Sequence, residues 1–274
     1  MGLVLRFLEI ALPVLYFGTA WTYAKSFFRG IKLAESLKSP LLGITILVHA
    51  LYILLRTVEY NHPPITSVFE IFSLIAFTIT LSYVYIEFRT NNRTTGYFIL
   101  ILPFFFQLIS SIFIGGRQNV PPMLENKLLG LHVSSALLGI TAITISAVYG
   151  FLYLMLYHDI KSSQFGVIYK RLPNLEALER MSYTANIFGF LLLTVAILVG
   201  LIWLPRSVEN FSYTDPKLFG TFAIWIIYAV GLTVRNVAGW HGRKVIVLSM
   251  VGFAIAIFSM TVINVLFSSF HKFY

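Results

Sequence analysis

The segment 185–204 reads ANIFGFLLLTVAILVGLIWL and carries no charge. A helix of about 20 apolar residues matches the hydrocarbon thickness of a bilayer. In that medium backbone groups must pair inside the protein, so only helices or closed barrels cross it. Runs of this kind recur along the whole chain, which points to an all-α integral membrane protein. Composition agrees: 58% of the residues are hydrophobic and 11% charged, whereas a soluble domain is about a quarter charged.

Eight spans are expected, near 5–27, 40–58, 66–88, 96–114, 128–157, 185–204, 216–237 and 244–268. The first run has no small-residue cleavage site after it and reads as a retained helix, not a signal peptide. The fifth is longer than a bilayer needs, so it projects or tilts. Ahead of the sixth, Leu175, Leu178 and Met181 recur at helical spacing, with Glu176, Glu179 and Arg180 on other faces. That pattern predicts a short amphipathic surface helix over 173–184. No internal repeat or low-complexity linker breaks the chain, which is read as one transmembrane domain over 1–274.

Charge sets the expected orientation. Of the 20 Lys and Arg, thirteen lie in the odd-numbered loops, among them Lys25, Arg89, Lys170 and Arg243. Basic loops stay cytoplasmic, so both termini and the even loops face outward from the cytoplasmic (inner) membrane. The net charge of +9 therefore reflects basic loops of a multi-pass protein in a lipid bilayer, not a nucleic-acid partner. Cysteine is absent, which excludes disulfides, thiolate metal sites and thioether chemistry on this chain.

The same orientation sorts the six histidines. His158 and His241 fall inside. His62, His132 and His271 fall at the outer surface, and His49 lies mid-membrane. Imidazole is the common protein ligand of haem iron. His62 stands in YNHPPITSVFE, where Ser67 and Glu70 have capping-box spacing. His132 opens the fifth helix ahead of Ser134, Ser135, Gly139 and Ala142, small residues that allow close helix packing. Asp215 and Pro216 have the pattern of an N-cap followed by a first helical proline. An ionisable group inside a span, as His49 is, suggests function. Arg56, two turns toward the outer end, either snorkels or holds a carboxylate such as a haem propionate.

Taken in order, these motifs resemble the cytochrome c assembly family of CcsA/ResC type, with HemX-type features. The matching pieces are His49 and Arg56 with His62-Pro-Pro-Ile-x-Ser-Val-Phe-Glu70; Leu131-His132-Val133; Asp215-Pro216-Lys217 with Trp225 and Tyr228; Gly239-Trp240-His241-Gly242-Arg243-Lys244; and Phe270-His271. The resemblance implies haem at the outer face, ligated by two histidines that flank a tryptophan-rich segment. His132 and His271 match those positions. Of the tryptophan-rich segment, Trp203, Asp215, Pro216 and Lys217 remain. The family's membrane histidine in helix seven is Thr233 here.

Two functions of different class follow from the resemblance. One is a haem-binding assembly factor that presents haem to apocytochrome c, with or without a soluble-domain assembly partner. The other is a HemX-type membrane regulator of an early tetrapyrrole enzyme, glutamyl-tRNA reductase. A structural relative that no longer binds haem is the third expectation.

Overall fold

The computed structural model describes residues 2–90, 92–115, 127–207 and 216–259. It is helical, with no strand among the described residues. The helices are α1 (Gly2–Ala24), α2 (Lys32–Tyr60), α3 (Val68–Thr90), α4 (Gly96–Phe113), α5 (Lys127–Lys161), α6 (Val167–Arg171), α7 (Leu175–Ser207), α8 (Pro216–Asn236) and α9 (Arg243–Phe258). A π-helical turn, Lys25–Arg29, extends α1. Seven of them are long and apolar enough to cross a membrane among the described residues. The eighth expected span is α9, described as far as Ser259. This is a multi-pass all-α membrane protein.

Three boundaries differ from the sequence reading. The amphipathic stretch 173–184 is not a separate helix but the first turns of α7, which runs on to Ser207. No Gly or Pro interrupts it between Leu175 and Gly189. Asn174 caps its start, its Oδ1 accepting the Ala177 N–H at 2.9 Å. The short surface helix is α6 instead. In turn, α2 begins at Lys32 rather than 40, because Pro40 costs it one hydrogen bond without ending it. Finally, α5 continues four residues past 157, to Lys161.

The helices form two compact units, divided near residue 124. In unit 1, α1 packs on α2 and α4, and α3 packs on α2 and α4. Its interior is polar along one line. Glu9, Tyr16 and Tyr23 recur every seventh residue on α1, as do Ser73, Thr80 and Glu87 on α3. Seven residues is two helical turns, so each set shares one face. At one end of the line, Glu87 accepts from Tyr23 and from Ser39 (2.6 Å) and pairs with Arg93 at 3.3 Å.

In unit 2, α5 and α7 form the main pair, α9 packs on α5, and α8 lies against α7 and α9. Gly189 permits the close α5–α7 approach. A Cβ there would stand 2.5 Å from Ile143 Cγ2 and 3.2 Å from the Ile143 backbone nitrogen. Farther along the same pair, the Ser146 and Ser182 hydroxyls lie 2.9 Å apart and Ser182 donates to the Ser146 carbonyl. Such interhelical bonds replace the hydrophobic drive that lipid does not supply.

Candidate functional site

In unit 1, His49 is fully buried. Its Nδ1 lies 2.8 Å from Tyr16 Oη and its Nε2 2.9 Å from Ser73 Oγ. Ser73 donates its own proton to Gln107 Oε1 at 2.9 Å. Ser73 therefore accepts from the His49 Nε2–H, and Tyr16 donates to Nδ1. The chain continues from Gln107 Nε2 to Ser111 at 3.1 Å. Four helices are joined through one imidazole, and both of its nitrogens are engaged.

Arg56 is equally committed. Its Nε and Nη2 both lie 2.9 Å from Glu70 Oε1, Nη1 lies 3.2 Å from Glu9 Oε1, and Nη2 also donates to the Gly115 carbonyl at 2.9 Å. The guanidinium sits 4.8 Å from the centre of the Tyr60 ring. Ser67 accepts the Glu70 N–H at 3.2 Å, which is half of the expected capping box. The returning half is displaced by one residue, since Glu70 Oε2 takes the N–H and hydroxyl of Thr66 at 2.8 and 2.7 Å. The Arg56 ion pair holds the other carboxylate oxygen and turns the side chain that way.

His62 donates Nδ1–H to the Pro63 carbonyl at 2.8 Å and stacks on Tyr60. Its Nε2 is buried with no hydrogen-bond partner among the described residues. Asn61, in the left-handed region at φ 58°, ends α2 and turns the chain into this loop.

In unit 2, His132 stands on the second turn of α5 and donates Nδ1–H to the Ala196 carbonyl of α7 at 2.8 Å. Because a carbonyl only accepts, Nδ1 carries the proton and Nε2 is the ring's acceptor nitrogen. The ring fits because residue 200 is glycine. A Cβ at Gly200 would come within 3.0 Å of His132 Cε1 and 3.1 Å of Nδ1. Trp203 lies three residues on, about 4.5 Å farther along α7. It is buried, and its Nε1–H has no hydrogen-bond partner among the described residues. A backbone carbonyl on Nδ1 is one of the partners by which a metal-ligating imidazole is oriented. An imidazole oriented in this way and an indole N–H are groups of the kind that would hold haem, the first by its iron and the second by a carboxylate.

The other expected residues fall as follows. Pro216 begins the backbone of α8. Asp215 and His271 lie outside the described residues. Thr233, at the family's membrane-histidine position, is exposed and bonds its own helix at the Ala229 carbonyl, 2.8 Å away. Trp225 is fixed in the helix packing, donating to Thr194 at 2.8 Å and stacking on Phe190. Among the described residues no group of three or more His, Cys, Asp or Glu is placed to hold a metal ion. Ala196 and Gly200, which orient His132, were not read from the sequence. The one available signal was a glycine inside the long uncharged run.

Residues 36–271 match the family profile described as cytochrome C assembly protein. The chain belongs to the cytochrome c assembly family. Among its relatives, the cytochrome c biogenesis protein CcsA of Guillardia theta is 24% identical over 80% of this chain and 79% of its own. CcsA of Prochlorococcus marinus strain MIT 9301 is 26% identical over 84% and 83%. Protein HemX of Bacillus subtilis is 30% identical over 44% of each chain. The resemblance read from scattered motifs is thus the family itself, and membership is consistent with haem handling in cytochrome c biogenesis.

Proposed function

We propose that the chain binds haem at the outer face of the cytoplasmic membrane and presents it to apocytochrome c. His132 and His271 are the axial ligands, Asp215 and Pro216 shape the adjoining turn, and the Trp203 indole N–H meets a haem carboxylate. The observation that supports this most is the orientation of His132, whose Nδ1–H is spent on the Ala196 carbonyl beside the space left by Gly200.

Haem supplies the group to be attached; the chain supplies ligation and position. Having no cysteine, it leaves the thiols to the apocytochrome and contributes by holding the reactants together. In this proposal His49 and Arg56 stabilise unit 1 rather than touch haem, since their polar atoms are already paired.

The match to HemX favours a second reading, a membrane regulator of glutamyl-tRNA reductase. Haem content separates the two. The detergent-purified protein is reconstituted with haem, and bound haem is quantified for wild type, His132→Ala, His271→Ala and the double variant. The proposal expects loss in each single variant and a non-additive double, because both act on one site. His158→Ala and His241→Ala leave haem content unchanged. A wild type that takes up no haem puts the regulatory reading first. Haem that survives both outer substitutions makes His62 the next ligand to test.

A further inference from the structure

A cavity in unit 2 lies away from His132, at the other end of α5. Its volume is about 570 Å³, and its walls include Leu156 and Ile160 at the end of α5, Tyr169 and Lys170 on α6, Leu172, and Glu176 at the start of α7. That volume lies within the roughly 300–1,000 Å³ of ordinary ligand pockets.

Its level relative to the bilayer follows from charge. No Asp, Glu, Lys or Arg occurs on α5 between Lys127 and Asp159, or on α7 between Arg180 and Arg206. The hydrocarbon layer lies within those stretches, and the cavity sits at their end, by the last turn of α5 and the first of α7. The medium at that level is lipid headgroup. The segment beside it is built for an interface: Phe165, Val167 and Tyr169 are 54%, 40% and 43% exposed, next to basic residues. Aromatic and basic side chains together mark the interfacial layer.

Charge then selects the lipid. Among the described residues, Lys161, Lys170 and Arg180 enter no ion pair, while nearby Glu179 is taken by Arg235 at 3.7 Å. Glu176 is the single acid in the lining, so an anion belongs on the Lys170 side. Leu156, Ile160, Leu172 and Leu175 give the lining an aliphatic side, and Tyr169 and Asn174 complete it.

We propose that this cavity binds one anionic phospholipid, its acyl chain along Leu156, Ile160 and Leu172 and its phosphate at Lys170. The inference is independent of haem.

The test is native mass spectrometry of the full chain released from detergent after exchange into mixtures of phosphatidylglycerol and phosphatidylcholine. One phosphatidylglycerol should be retained in preference. Lys170→Ala should lower its retention roughly fivefold, the effect of one basic residue near an anionic headgroup. Ile160→Trp, which fills the cavity without changing charge, should lower retention of both lipids. Lys244→Ala, in the first turn of α9, should change nothing. Equal retention of the two lipids overturns the proposal, as does an equal loss with Lys244→Ala. Displacement by inorganic phosphate alone overturns it in favour of a phosphate site. A protein that co-purifies and is released by Ile160→Trp while lipid retention is unchanged overturns it in favour of a protein-docking groove.

Discussion

At the scale of single residues, what each imidazole nitrogen bonds decides its role. His132 is oriented by a carbonyl on a neighbouring helix and given room by Gly200. Gly200→Ala therefore forces the ring to move by a few tenths of an ångström. The expected outcome is a folded protein with weaker haem retention and a smaller low-spin fraction in its absorption spectrum, and Gly200→Leu should abolish both. His49 behaves oppositely. His49→Leu removes a donor and an acceptor at once and strands Tyr16, which costs about 1–3 kcal/mol per buried unsatisfied group. Thermal unfolding in detergent should shift downward while haem retention per folded molecule stays the same. Loss of haem without loss of stability would show His49 to be a ligand.

At the scale of elements, unit 1 is held by buried polar pairs, and these decide which substitutions hurt. Arg56 and Glu70 are both 3% exposed at their side chains, and Glu9 adds a second carboxylate. Arg56→Leu leaves Glu70 charged and unpaired, for a cost of about 3–5 kcal/mol. The double change Arg56→Leu with Glu70→Leu should recover part of it, and a double-mutant cycle of unfolding midpoints measures the coupling. In unit 2 the corresponding point is Gly189. Adding a methyl 2.5 Å from Ile143 Cγ2 should cost about 1–3 kcal/mol through overpacking, and Ile143→Ala in the same chain should relieve it.

The spans were legible because a bilayer demands long uncharged runs, a constraint that leaves its mark on every residue of a helix. The capping serine and glutamate of α3 were legible because their contacts are local. The partners of Arg56 were not, since Glu9 is 47 residues away and nothing short of the tertiary fold brings them together. The seven-residue spacing of Glu9, Tyr16 and Tyr23 carried that information unread. For His132 the position was legible and the orientation was not, because its acceptor is a backbone carbonyl that no residue type announces. The start of α7 was misplaced because an amphipathic run and a membrane span join without a breaker between them.

At the scale of the whole molecule, we propose that both termini lie outside, on the excess of Lys and Arg in alternate loops. A reporter enzyme active only in the cytoplasm, fused after Tyr274, should therefore be silent, and an active fusion would reverse the orientation and place His132 on the wrong side for the proposed site. The central claim, that His132 Nε2 binds haem iron, has a more direct measurement. In His132→Gly the missing ring leaves a space that free imidazole can occupy. The absorption spectrum of the haem-reconstituted variant should lose its low-spin bands, and added imidazole should restore them. A variant that keeps the wild-type spectrum with no imidazole present would contradict the account.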